Sequence, residues 1–221
     1  MATTPERIRN PERSRAAILD AAERLFAERG YDATSLTEVG AAAGVSRGTP
    51  GYFFRSKAEL YQAVLDRSFA EVRDAVRAGR ARALASGESA ETILAGAVSD
   101  YFDFLAARPN FVRLIEREAL KGGRLTDEET HLSAGQEALA AIGAELGLDA
   151  SPSGDAAQLL LSIISLCWFP MIHAHTVAPA VGVALDQGDE IERRKRHVMA
   201  LVLHGIKGLH PTTSTGHSSH D

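Results

Sequence analysis

Residues 35–53 read SLTEVGAAAGVSRGTPGYF, and the order of caps and breakers in that run decides the fold. Ser35-Leu-Thr-Glu38 is a capping box: the serine bonds the third helical N–H, and the glutamate reaches back. The short helix it opens carries Val39, Ala42 and Ala43 and stops at Gly44, which takes positive φ at little cost. Val45 is placed to pack inward. Ser46 is a candidate cap for a second short helix, expected from Arg47 to about Phe53. Small residues at 41–43 let the two helices approach closely, so the run has the form of a helix-turn-helix.

Working outward, the preceding helix opens at Asn10-Pro11, an N-cap followed by proline at the first helical position. Ile18, Leu19, Ala22, Leu25 and Phe26 recur at helical spacing, and Gly30 is a natural stop. Beyond the motif, Ser56-Lys-Ala-Glu59 is a second capping box. It opens a long helix with Leu60, Val64, Leu65, Phe69, Val72 and Val76 along one side. From Gly87 onward the pattern predicts helices over 90–107, 110–121, 127–147, 155–177 and 188–208. Arg108-Pro109, Gly122-Gly123, 151–154 and 179–188 are the breaks. The polar tail from Pro211 is expected to be disordered. No alternating strand and no internal repeat stands out, so the fold class is all-α, with about nine helices.

The chain has 221 residues, 45% of them hydrophobic, and a net charge of −5. That is ordinary globular composition. Residues 1–67 hold 10 Lys/Arg and 9 Asp/Glu; the remainder holds 14 and 20. A near-neutral small part on an acidic large part fits nucleic-acid contact at one end only. The single cysteine, Cys167, excludes an internal disulfide framework. The charged N-terminus lacks an apolar signal region. The longest apolar run, Leu159 to Ile172, is shorter than the roughly 20 residues of a bilayer span. It reads as a core helix, so no membrane partner is expected and the cytoplasm is the expected location.

The second helix of the motif presents Arg47, Gly48, Thr49 and Tyr52 near its N-terminus, where free N–H groups suit phosphate. In such motifs the second helix enters the major groove. Spacing alone does not distinguish a DNA reader from any other capped helix pair. The run at 18–64, however, resembles the DNA-binding domain of TetR-family repressors. The matching residues are Ile18-Leu19, Ala21-Ala22, Leu25-Phe26, Gly30, Thr34-Ser35, Ala43-Gly44-Val45-Ser46, Gly48-Thr49, Phe54, Ser56-Lys57 and Leu60. The resemblance implies a three-helix DNA-binding domain, a long linking fourth helix, and a variable helical domain for ligand binding and dimerisation. The expected boundaries are 10–56 for the DNA-binding domain (helix-turn-helix about 35–54), 57–208 for the second domain and 209–221 for the tail. Two positions depart from the family pattern. Pro50-Gly51 stands where Leu-Tyr is common, and Gly40 replaces a common alanine. Gly51 lowers helix propensity by about 1 kcal/mol relative to alanine, so a short recognition helix is expected.

The expected DNA-binding residues are Ser35, Thr37, Arg47, Gly48, Thr49, Tyr52, Phe53 and Lys57. Arg47 is the best base reader, because a guanidinium pairs bidentately with guanine. Thr49 suits a base edge or a phosphate, and Ser35 and Thr37 suit phosphate. Tyr52 is favoured to replace the absent family tyrosine. By family analogy Lys57 contacts phosphate. Phe53 is a mixed candidate, while Phe54 reads as core.

The resemblance further implies a homodimer through the last two helices and a cavity for a small-molecule effector. Phe102, Phe111, Leu114, Ile115, Trp168 and Met171 are candidate lining residues, each equally suited to filling a core. Pro170 is expected to kink its helix or free the carbonyl of Leu166. His173 and His175, two apart on a helix, do not share a face and make a poor metal pair. No nucleophile elbow, phosphate-binding glycine loop or metal-ligand spacing is present. An enzyme and a resident cofactor or metal are therefore not expected. The reading is a ligand-responsive repressor of a double-stranded DNA operator. A helical adaptor that binds protein is the rival, supported by the weakened Pro50-Gly51 helix.

Overall fold

A computed structural model describes residues 11–120, 129–185 and 189–209. The described residues form ten helices and no strand: α1 Pro11–Arg29, α2 Leu36–Ala42, α3 Thr49–Phe53, α4 Lys57–Ala85, α5 Ala90–Ala107, α6 Pro109–Leu120, α7 Glu129–Leu146, α8 Asp155–Ile172, α9 Val177–Ala180 and α10 Glu190–Leu209. The Asn10 cap, the Gly122-Gly123 break and the tail lie outside the described residues. The chain divides into two compact units. One takes the chain through Arg77 together with Asp103–Glu137; the other takes Ala78–Phe102 and the chain from Ala138. The first unit thus reaches beyond the 56/57 boundary expected from sequence.

In the first unit the apolar stripe of α1 packs against α2, α3 and α6. Ile18, Leu25 and Phe26 of α1, Val39 of α2, Phe54, and Leu60, Val64 and Leu65 of α4 share one core with Leu114 of α6. Burying each such side chain stabilises by about 1.5–3 kcal/mol. Rings reinforce it: Tyr61 meets Phe26 and Tyr31 edge to face, with centroids 5.0 and 5.1 Å apart. Arg67 reaches back to α1, donating to Asp20 Oδ1 (2.6 Å) and Glu23 Oε2 (2.7 Å).

One cation holds the end of α1 and a second holds the turn after it. Helix C-terminal carbonyls lack intrahelical partners and attract positive charge. Arg117 of α6 donates from Nε to Ala27 O and from Nη2 to Glu28 O, both at 2.8 Å. Lys57 Nζ donates to Tyr31 O at 3.0 Å and lies 4.3 Å from the Tyr31 ring centroid. The buried Thr34 hydroxyl closes the turn by donating to Gly30 O at 2.9 Å.

In the second unit α8 packs on α10. The stripe Ala156, Leu159, Ile163 and Cys167 of α8 is buried, as are Val198, Val202 and Ile206 of α10. Asp100 of α5 pairs with Arg82 of α4 at 3.1 Å, beside Gly79, where any added Cβ would collide with the Asp100 carboxylate. The expected helix over 155–177 instead ends at Ile172 and is followed by the one-turn α9. Pro170 sits in its last turn, so the helix terminates just beyond it: His173 N–H closes on Phe169 O at 3.0 Å, and its ring nitrogen meets the Thr176 hydroxyl at 3.1 Å. By length and composition α8 is apolar enough to cross a membrane. Its Ser162 and Ser165 hydroxyls donate to the carbonyls of Gln158 and Leu161, four residues back.

Candidate nucleic-acid interface

The interface is built from α2, the turn and α3. Ser35 caps α2 with its side chain accepting from Glu38 N–H, and the Glu38 carboxylate accepts from Ser35 N–H (2.9 Å) and Ser35 hydroxyl (2.7 Å). The expected capping box is therefore complete. Those two donors, the hydroxyl first, hold the Glu38 carboxyl below its usual range. Arg29 adds an ion pair at 3.2 Å. The second expected box is rearranged: Glu59 N–H donates to Ser56 Oγ (3.0 Å), but the Glu59 carboxylate takes Arg55 N–H (3.1 Å).

Gly44 makes the turn with φ of +66°, a region that costs most other residues about 1–2 kcal/mol. Val45 packs against the core of the first unit, as its position required. The second helix starts two residues later than expected. Gly48 is its N-cap, and no side chain caps it. Ser46 Oγ lies 2.6 Å from Thr49 Oγ1, while Thr49 N–H reaches Ser46 O at 3.0 Å. Ser46 thus shapes the turn and does not begin the helix, and Arg47 lies in the turn.

The two unusual positions meet in space. A Cβ built on Gly40 would stand 3.2 Å from Pro50 Cγ and 3.2 Å from Ser46 O. Pro50, in the first turn of α3 and buried, therefore fits the space left by the missing side chain of Gly40. The sequence offered both residues as departures but gave no signal that they are partners, ten positions apart on different helices.

The predicted contact residues separate by environment. Arg47 is exposed and makes no ion pair or hydrogen bond among the described residues. Tyr52 is 85% exposed, its ring edge against Phe53 at 5.4 Å. Thr37, Ser35 and Gly48 are exposed, Thr49 and Phe53 are half-buried, and Phe53 packs on the core that buries Phe54. Lys57 is engaged on the carbonyls of Tyr31 and Asp32 in the turn after α1. Sequence reasoning missed two cations near the end of α3. Arg15 is exposed with its guanidinium 5.3 Å from the Phe54 ring centroid, and Arg55 is exposed at the end of the motif. A contact spanning 39 positions leaves no periodic trace in a sequence.

The proposed effector residues are divided between units. Phe111, Leu114 and Ile115 belong to the first, where Leu114 is core and Ile115 packs on it. Phe111 stacks edge to face with Phe69 and Phe104. Phe102, Trp168 and Met171 belong to the second. Among the described residues no cluster of three or more His, Cys, Asp or Glu side chains is placed to hold a metal ion.

Comparison with known proteins gives the arrangement its family. Residues 18–64 match "Bacterial regulatory proteins, tetR family", and residues 91–202 match "Tetracyclin repressor-like, C-terminal domain". TtgR of Pseudomonas putida, an HTH-type transcriptional regulator, is 47% identical over 55 residues, covering 25% of this chain and 26% of that protein. FasR of Mycolicibacterium smegmatis, an HTH-type transcriptional activator, is 37% identical over 101 residues, or 46% and 44% of the two chains. The chain therefore spans from about a quarter to under half the length of these curated relatives. A putative transcriptional regulator of Streptomyces coelicolor, SCO4942, has the same fold, with a TM-score of 0.66 at 23% identity over 87% of this chain and 97% of that one. The two family models together account for the capped helix-turn-helix and for most of the chain from α5 to α10, and on that basis the chain belongs to the tetR family of bacterial regulatory proteins.

Proposed function

We propose that this chain is a sequence-specific DNA-binding regulator that acts as a repressor and leaves its operator when a small molecule binds. The carrying observation is the surface of the helix-turn-helix. Arg47 and Tyr52 stand exposed on a frame in which the Ser35, Glu38, Ser46 and Thr49 side chains are held by local hydrogen bonds. Arg47 and Thr49 read base edges; Tyr52, Ser35, Thr37 and the Gly48 backbone take phosphates, with Phe53 packing beneath them. Arg15 and Arg55 supply further phosphate contacts. Lys57 is assigned first to holding the start of α4 against the α1 turn, since its ammonium already has carbonyl acceptors there.

A dimer through α8 and α10 is supported by the apolar side chains those helices leave in solvent. Leu161, Ile164 and Phe169 of α8 and Leu201 of α10 are all exposed, and exposed apolar patches of this kind mark association surfaces. Two copies place two recognition helices on two half-sites. This reading makes the apolar length of α8 a protein interface, and the cytoplasm its location. An effector bound in the second domain favours the conformer that misplaces those helices, by no more than its differential affinity for the two states.

The experiment is selection from random duplexes followed by salt-dependent titration. An enriched palindromic site is expected, with affinity falling steeply as salt rises. Enrichment of no sequence in any condition would leave a protein-binding adaptor as the better account. Reporter expression with and without the protein separates repression from the activation named for FasR.

A further inference from the structure

Two buried polar atoms on consecutive turns of α4 go without the hydrogen bond that their side chains could give each other. Arg67 Nε is a donor and Glu71 Oε2 an acceptor; both are shut off from solvent and neither is hydrogen-bonded. Residues four apart on a helix are neighbours, yet Arg67 Nε stands 4.0 Å from Glu71 Oε1. Leaving a buried donor and a buried acceptor open is costly, so something must hold them apart.

Glu71 is turned instead to Arg108, between α5 and α6. Arg108 Nη1 lies 2.6 Å from Glu71 Oε2, an ion pair that lacks hydrogen-bond geometry. The same guanidinium lies 5.8 Å from the Phe104 ring centroid. Arg67 meanwhile turns its two terminal nitrogens to Asp20 and Glu23 of α1. All five charged side chains belong to the first unit. They set three negative charges against two positive ones. While Arg108 neutralises Glu71, Arg67 serves α1 alone. Without Arg108, three carboxylates crowd one guanidinium and repel one another. Asp20 yields first, because its side chain is 71% exposed against 9% for Glu23.

We propose that Arg108 is a positioning residue for operator binding and acts through Glu71: it holds that carboxylate off Arg67 and so preserves the grip of Arg67 on α1. Helix α1 packs against α2 and α3, so this grip sets where the reading helix stands. The inference rests on the DNA-binding reading above and adds to it a residue remote from the reading surface. Asp20 and Glu23 lie in the first stretch matched to the family, Arg108 in the second.

The test uses the full chain and the operator obtained by random selection. Arg108→Met is expected to bind operator about five-fold or more weakly, with an unchanged salt dependence. Glu71→Gln alone leaves Arg67 on α1 and is expected to bind like the parent. Adding Glu71→Gln to Arg108→Met is expected to restore binding, because the neutral amide no longer competes for Arg67. Arg108→Lys keeps the charge and is expected to keep parental affinity. Should Arg108→Met fail to fold, Arg108→Gln takes its place with the same expected loss. Parental affinity without the Arg108 charge overturns the proposal. So does a double variant as weak as the Arg108 variant, or Glu71→Gln alone as weak as either, which is how an ordinary ion pair would behave.

A second readout needs no DNA. The Arg67 Nε–H resonance of the free chain, assigned by its loss in Arg67→Lys, is expected to shift in Arg108→Met and to return in the double variant. An unmoved resonance overturns the exchange of Glu71 between the two cations. A shifted resonance in a chain that enriches no operator keeps that exchange and removes the DNA-binding reading on which its role depends.

Discussion

Between Ser35 and Glu59, the capping side chains find partners close by in the chain: Ser35 with Glu38, Ser46 with Thr49, Ser56 with Glu59, and Glu59 with the N–H of Arg55. Along α8 and α10 the residues of interest are those without such closure. Leu161 and Phe169 face solvent, and Arg194 Nε is buried without an acceptor. The caps and the turn of the first region are closed by neighbours in its own sequence; the second has surfaces that call for a partner. Local closure makes a frame rigid and its loose side chains informative, while open ends report binding without naming what binds.

That contrast can be broken most severely at the dimer face. Replacing Leu161 and Phe169 by glutamate puts charge into the proposed two-fold interface. We expect monomers by sedimentation and operator affinity lowered by about a hundred-fold or more, since two half-sites are no longer bound together. A stable dimer in that variant would move the interface elsewhere.

On the frame itself, Arg47→Ala is expected to cost about 1–3 kcal/mol in operator affinity and to relax base choice at one position. Binding isotherms on single-base operator variants check it. Gly40→Val should cost about 1–3 kcal/mol of stability in urea unfolding, because the added atoms meet Pro50 and the Ser46 carbonyl. Pro50→Ala should recover part of that loss, and strictly additive effects would show that the two do not touch. Gly51→Ala is the control on the same helix. A Cβ there meets nothing within 4 Å, so a gain of up to about 1 kcal/mol is expected from helix propensity.

Smaller effects follow at the caps. Lys57→Ala should lower stability by about 1 kcal/mol through its lost carbonyl bonds while leaving the salt dependence of operator binding unchanged. A slope reduced by about one would instead assign Lys57 to a phosphate. The Glu38 carboxyl is held below its usual range in the folded chain. Its contribution is therefore present above the unfolded value and lost as pH falls through the depressed folded value. Glu38→Gln should remove that acid-side loss, as followed by the pH dependence of unfolding.

What could be read from sequence tracks this same division. The Ser35 box, the Gly44 turn, the inward Val45 and the core position of Phe54 all follow from windows of a few residues, and all are found. The start of α3 was misplaced because Ser46 has two uses for its hydroxyl, and only the backbone geometry chooses between them. The Gly40–Pro50 fit, the Arg15–Phe54 contact and the Arg117 bonds to α1 join distant positions and leave no spacing to detect. The end of α8 at Ile172 has no breaker after it in the sequence until Pro179, so only the turn closed by the His173 N–H marks it.

Arg117 also bears on how such regulators can be recombined. The first 56 residues look like a portable reading head, but the core around Ile18 and Phe26 is finished by Leu60, Val64 and Leu114, and the end of α1 is tied by a side chain ninety residues away. A hybrid cut at residue 56 would carry the reading surface and leave its foundation behind. Transplanting the reader intact means moving α6 with it, so that inheritance in this chain follows the contacts of the fold and not the order of the helices.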